Sequence, residues 1–170
     1  IGRVLRHFNN IHGPVFYGTD YNPKLINWCK KNLKFARFST NQLVGSLEYI
    51  DQQFDFIYAL SVFTHMREEQ QLFWIKELSR VLKPEGHLFI TTHGSQHYYK
   101  NMSAADLERF HNGELIVYSG EVAGTNTCTA FHPETYVRNV LARDLIVIDY
   151  ILEGAKGNPL QDVYLIKKPE

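Results

Sequence analysis

FDFIYALSVFTHMREEQQLFWIKELSRVLKPEGHLFITT, residues 54–92, holds three elements in succession. Phe54–Leu60 is a mostly apolar run of strand length. Glu68–Leu82 places Leu72, Ile75, Leu78, Val81 and Leu82 on one helical face. Lys83-Pro84-Glu85-Gly86 stops that helix with Pro and Gly, and 87–92 reads as a second strand. Two strands joined through a helix form a parallel pair, because only a long crossover returns the chain in the same direction.

The same alternation continues on both sides. Residues 3–10 predict a short helix, with Val4, Leu5 and Phe8 at helical spacing. Residues 15–19 predict a buried strand ending at Asp20. Asn22-Pro23 then supplies a helix cap and a proline at the first helical position, with Leu25, Ile26, Cys29 and Leu33 on one face. A short strand is expected at 36–39 and a loop over 40–53. Downstream, 103–111 predicts a helix and 115–118 a strand. His132-Pro133-Glu134 opens another helix, with Tyr136, Val137, Val140 and Leu141 facing inward. The last two strands, 145–152 and 162–168, flank a loop too short for a crossover, so they pair antiparallel. The fold class is therefore α/β: a mostly parallel, Rossmann-like sheet with an antiparallel C-terminal hairpin and helices on both faces.

The 170 residues suit one domain. Hydrophobic residues make up 44%, enough to build a core and too many for a disordered chain. Lys+Arg and Asp+Glu are both 18, which gives no overall charge to grip nucleic acid or an anionic membrane. No apolar run approaches the roughly 20 residues of a membrane span. Cys29 and Cys128 are too few for a disulfide framework or a four-cysteine zinc site and read as free thiols of a cytoplasmic protein. Asn101-Met102-Ser103 matches a glycosylation sequon by chance.

Sheets of this type bind ligands outside the carboxyl ends of their strands, which singles out Asp20, 39–43, 60–65 and 92–94. Asp20 is placed to accept hydrogen bonds from ribose hydroxyls, or it simply helps to cap the following helix. Gly2 lets a ligand approach the backbone, or it is a turn residue. His65 is suited to general-base work, or it hydrogen-bonds its own loop. None of the eight histidines makes an HExxH-type pattern, and His93 and His97 are separated by a helix-breaking Gly94, so no metal site is expected. Residues 94–131 and the adjoining His132 carry Tyr98, Tyr99, Tyr118 and Phe131, which either wall a small-molecule pocket or form a satellite core. No GxSxG, CxxC or Walker A motif is present, so hydrolase, redox and triphosphatase readings lose support.

Four segments give the chain a family resemblance. Tyr17-Gly18-Thr19-Asp20-Tyr21-Asn22-Pro23 is one, and residues 54–65 are the second. The third is Glu77–Leu88, where Glu85 replaces the first glycine of a usual Pro-Gly-Gly, and the fourth is Gln161-Asp162-Val163-Tyr164. Together they resemble the class I S-adenosylmethionine-dependent methyltransferases, close to the small-molecule group labelled type 11 or 12. The resemblance spans 1–93 and 133–168, and 94–131 reads as an inserted, cap-like segment facing the acceptor. The family's sheet order is 3-2-1-4-5-7-6. Its first strand and GxGxG loop should precede Arg3, where only Gly2 matches and no initiator Met stands, so the sequence is expected to be part of a longer polypeptide. An intact mass near 19.8 kDa for a folded, functional sample would count against that.

The resemblance implies S-adenosylmethionine as cofactor and S-adenosylhomocysteine as product, with in-line SN2 transfer to an O, N or C nucleophile. It implies that Gly2 lies against the methionine part, Asp20 binds the ribose hydroxyls and Tyr21 stands beside the adenosine. Asn41, Gln42 and Leu43 would meet the adenine edge, and Ser61 and Phe63 the sulfonium and acceptor. His65, His93 and His132 are the candidate bases. The expected partner is a small-molecule acceptor, with no nucleic acid and no membrane, and an exposed sheet edge would suit a homodimer. Two other readings stand beside this one: a non-catalytic methyltransferase-like binding or scaffold module, and a nicotinamide-dependent oxidoreductase. The oxidoreductase reading needs a glycine-rich fingerprint in the segment expected upstream, and the C-terminal topology is wrong for it.

Overall fold

The computed structural model describes residues 2–94, 102–157 and 159–170. His97, Tyr98, Tyr99 and Asn101 of the sequence reading lie outside the described residues. The chain divides into two compact units, Ile1–Glu48 and Tyr49–Glu170.

The first unit is a strand–helix–strand. A single 3-10 turn, Leu5–Phe8, stands where the sequence predicts a helix over 3–10. Strand β1 (Phe16–Asp20) and strand β2 (Ala36–Thr40) pair in parallel, from Phe16 opposite Ala36 to Asp20 opposite Thr40. Helix α1 (Pro23–Asn32) joins them, capped by Asn22, whose side-chain oxygen accepts from the Lys24 N–H at 3.0 Å. Ile26 and Cys29 form its buried face, while Leu25 remains 41% exposed, so the inward stripe is narrower than its apolar spacing suggests. Gly18 gives the Phe38 ring its space: a Cβ there would lie 2.7 Å from the ring.

The second unit holds a four-stranded sheet of order β3-β4-β8-β7. Strand β3 (Phe54–Ala59) runs parallel to β4 (Leu82–Thr92), and helix α2 (Glu68–Val81) makes the crossover. Strands β7 (Ile146–Ala155) and β8 (Gln161–Lys167) are the expected antiparallel hairpin, with β8 inserted between β4 and β7. The Pro-Gly stop works differently from a simple loop. Leu82 turns straight from helix into extended backbone, and Phe54 pairs with Leu82 before the register jumps to Phe56 opposite His87. The extra residues bulge at Glu85, which takes a left-handed φ of 64°.

Two helical faces differ from the periodic reading. On α2 the buried side chains are Gln70, Gln71, Trp74, Ile75, Glu77 and Val81, because Gln71 is drawn inward by hydrogen bonds rather than by hydrophobicity. After His132, helix α4 (Glu134–Tyr136) passes into a π-helical stretch, Val137–Leu141. The wider π turn keeps Tyr136, Val137 and Leu141 buried but rotates Val140 outward.

Residues 102–131 contain α3 (Ala104–His111) and an antiparallel pair, β5 (Ile116–Tyr118) and β6 (Thr129–Phe131). Phe110, Ile116 and Phe131 form a core cluster with Met102 and Tyr118 packed on it, so the satellite-core alternative holds for these residues. A bridge between His93 and Phe131 ties the segment to the end of β4.

Candidate functional site

In the first unit the carboxyl ends of β1 and β2 are fastened together. The Thr19 hydroxyl donates to Asn41 Oδ1 at 2.8 Å, and the Asn41 N–H donates to the Asp20 carbonyl at 3.2 Å. Asn41 Nδ2 donates to the Gln42 carbonyl at 2.7 Å, which fixes the first turn after β2. Asp20 Oδ1 accepts from the Asn22 N–H at 2.8 Å, so the capping role is real. It uses one oxygen: Oδ2 has no hydrogen-bond partner among the described residues. A partly exposed carboxylate with a spare oxygen at a strand end suits a vicinal diol, and in this respect the residues fit the cofactor's ribose. Tyr21 and Leu43 are 42% and 45% exposed, and Gln42 is exposed while folding its side chain over Gly45. Gly2 has a local explanation. Its φ is +68°, and a Cβ would lie 3.0 Å from both Cys29 Sγ and the Leu33 side chain.

In the second unit the residues after β3 and β4 converge. Ser61 adopts a left-handed φ of 54°. Its N–H donates to Thr91 Oγ1 at 2.9 Å, and its hydroxyl lies against the amide of Gln161. Phe63 is fully buried in a 3-10 turn, Phe63–His65, so its side chain packs the interior.

The three histidines have different surroundings. His65 is half-buried, and its Nδ1 lies 2.8 Å from the Cys128 carbonyl. A carbonyl only accepts, so Nδ1 carries a hydrogen, and in the neutral ring the lone pair is on Nε2. His93 is 5% exposed, and its Nε2 lies 3.1 Å from Gln161 Nε2. Burial, with the neighbouring His65, pulls its pKa down to about 4. His132 is fully buried. Its Nε2 donates to Gln71 Oε1 at 3.0 Å, while Gln71 Nε2 donates to the Met66 carbonyl. Burial, with His93 adding to it, pushes His132 down to about 3. A histidine sealed inside and already protonated at the nitrogen it uses is a packing and hydrogen-bonding residue. His65 alone combines access with an available lone pair.

Three further residues of this region, Gln161, Thr91 and Gln71, are not among the candidate site residues of the sequence reading. Gln161 opens an apolar strand and the fourth family segment, and Thr91 lies near the end of a strand; neither position by itself marks a site residue. Asp162, next to Gln161, is buried, accepts from Tyr150 and from the Glu153 N–H, and has its pKa raised by that burial. A cavity of about 270 Å³ opens beside Gly94, between Phe110 and His111 of α3, Glu134, and Tyr150 and Leu152 of β7. Among the described residues no cluster of three His, Cys, Asp or Glu could hold a metal ion, and no helix is long and apolar enough to cross a membrane.

Comparison with known proteins agrees with this layout. Structures of similar fold include an S-adenosylmethionine-dependent methyltransferase from Methanosarcina mazei. It is 20% identical, with a TM-score of 0.69 over 98% of this chain and 86% of that one. A second is the 1,6-didemethyltoxoflavin N1-methyltransferase of Burkholderia thailandensis, solved with 1,6-didemethyltoxoflavin and S-adenosylhomocysteine. It is 14% identical, with a TM-score of 0.69 over 99% and 67% of the two chains. A third is the N-methyltransferase NodS from Bradyrhizobium japonicum, 17% identical with a TM-score of 0.56 over 92% and 74%. At these identities the likeness establishes the fold. The strand neighbours, β2-β1 in one unit and β3-β4-β8-β7 in the other, match the 3-2 and 4-5-7-6 runs of the order 3-2-1-4-5-7-6. The family description "methyltransferase domain" matches residues 1–90, more than half of the chain and all of β1 to β3. The chain therefore belongs to the methyltransferase domain family, the class I S-adenosylmethionine-dependent group that its four sequence segments resemble.

Proposed function

We propose that the protein transfers a methyl group from S-adenosylmethionine to an O, N or C atom of a small molecule, working as one methyltransferase domain with 94–131 as its cap. The observation that carries this reading is Asp20: an acid at the carboxyl end of β1 with one oxygen committed to Asn22 and the other open to a ribose diol. Tyr21, Asn41, Gln42 and Leu43 would line the adenosine side, and Gly2 the methionine side. Ser61 would stand nearest the reacting centre, with the Phe63 backbone behind it.

When bound, the cofactor supplies an electrophilic methyl group on a sulfonium. The chain's part is alignment, exclusion of water and, for an acceptor that carries a proton, a base. His65 Nε2 is the group suited to take that proton, because the Cys128 carbonyl holds the ring in the tautomer that leaves Nε2 bare. Equal numbers of acidic and basic residues and two buried free thiols support a cytoplasmic enzyme that does not act on nucleic acid. A homodimer is supported by β7, an edge strand along which Ile146, Ile148 and Ile151 are about half exposed.

The test is acceptor-dependent release of S-adenosylhomocysteine from a panel of small acids, amines, phenols and sugars. Turnover with any member supports the reading and names the acceptor class. Binding of S-adenosylhomocysteine without turnover across a broad panel would favour the non-catalytic module instead.

A further inference from the structure

Ser61 is a residue with a side chain held in the left-handed region, at φ 54°, in the loop that follows β3. Such a conformation persists only where its surroundings over-determine it. Two groups do so here. Thr91 Oγ1, near the end of β4, accepts from the Ser61 N–H at 2.9 Å. The side-chain amide of Gln161, at the start of β8, engages the Ser61 hydroxyl twice: Nε2 donates to Oγ at 2.7 Å, and Oγ donates to Oε1 at 2.9 Å. Thr91 Oγ1 in turn donates to the same Oε1 at 2.5 Å. The second N–H of Nε2 points at His93 Nε2, 3.1 Å away.

The amide therefore uses both donors and both acceptor sites, and it joins the start of β8 to two other stretches of chain, the loop after β3 and the end of β4. Gln161 is 6% exposed, with its amide taken up by these partners. We propose that Gln161 is a positioning residue that locks the loop after β3, through Ser61, in the shape that cofactor binding requires. The inference deepens the proposed function and rests on the reading of Ser61 as a residue of the cofactor site.

Side-chain chemistry leaves little room for a substitute. Leu keeps the bulk without a hydrogen bond. Glu keeps the acceptors but offers His93 an oxygen where it now meets an N–H. Asn falls one methylene short. The arrangement also assigns His93: its Nε2 must present a lone pair to Gln161, so the ring is neutral with the hydrogen on Nδ1. Around the ring stand His65 at 6.5 Å between centroids, Phe131, and His132, whose backbone N–H donates to the His93 carbonyl. Asp162 is the nearest acid in sequence to the clamp and is turned toward Gly94, Tyr150 and Glu153.

The experiment uses the natural full-length polypeptide, with S-adenosylhomocysteine as probe. Wild type, Gln161→Leu and Gln161→Glu are compared by calorimetric titration, and the His93 ring by nitrogen-15 NMR across pH. Ile166→Val, a core change in the same strand, is the control for general loosening. The expected result is a loss of about tenfold or more in affinity for both Gln161 variants, no comparable loss for Ile166→Val, and a His93 titration moved upward in Gln161→Glu. Wild-type binding with unchanged affinity in both variants would overturn the inference and leave the proposed function standing. If Gln161→Leu does not fold, unchanged affinity together with an unmoved His93 titration in Gln161→Glu overturns it equally. Absence of wild-type binding would overturn the proposed function, and this inference with it.

Discussion

His65 Nδ1 and the Cys128 carbonyl oxygen are 2.8 Å apart, which ties the loop after β3 to the turn before β6 and fixes which ring nitrogen is bare. The expected tautomer has its hydrogen on Nδ1, readable from the nitrogen-15 shifts of the ring. His65→Gln should lower methyl transfer about 10²- to 10⁴-fold when the acceptor must lose a proton, and leave S-adenosylhomocysteine affinity within about twofold. An equal loss in affinity would make His65 a structural residue of its loop.

The two buried histidines should make the fold acid-sensitive. His93 is held down to about 4 and His132 to about 3, against an ordinary value of 6.5. Between those limits the unfolded chain binds more protons than the folded one, so stability falls as pH drops from about 6.5 and is fully present above it. Each ring accounts for about 2 kcal/mol by pH 5. Asp162, raised by burial, works the other way at the acid end. Urea unfolding at several pH values should give a steep decline, and His132→Phe should reduce its slope between pH 6 and 5 by about one proton equivalent. An unchanged slope would mean that His132 is charged or accessible in the native protein.

Glu85 occupies the place of a family glycine and takes φ 64°, where a side chain costs about 1 kcal/mol. It recovers part of that through an ion pair with Lys167, half exposed and therefore weak. Glu85→Gly should raise stability by about 0.5 kcal/mol or more, seen as a higher urea midpoint with unchanged slope. A lower midpoint would show that the ion pair outweighs the strain.

Much of the fold was legible in the sequence because its signals are local and repeated. The strand at 54–59, the cap at Asn22-Pro23 and the C-terminal hairpin each follow from spacing and turn residues. The misread parts depend on tertiary partners. Gln71 is buried because His132 and the Met66 carbonyl occupy both ends of its amide. Val140 faces outward because the chain winds into a π turn. Of the candidate site, Asp20 and His65 could be named from their positions after strands. His93 and His132 looked equivalent to His65 as residue types, and burial separates them. Gln161 lies a hundred positions from Ser61, a contact that no spacing rule reaches.

The proposed function rests on Asp20 as the acid that holds the ribose of S-adenosylmethionine. Calorimetric titration of the natural full-length protein and its Asp20→Ala variant with S-adenosylhomocysteine tests it most directly, with Asp20→Asn retaining an acceptor for the Asn22 N–H. Wild type should bind at micromolar strength or tighter, and Asp20→Ala should lose about 1–3 kcal/mol. Equal affinity in the two proteins, or no binding by a folded wild type, would contradict it.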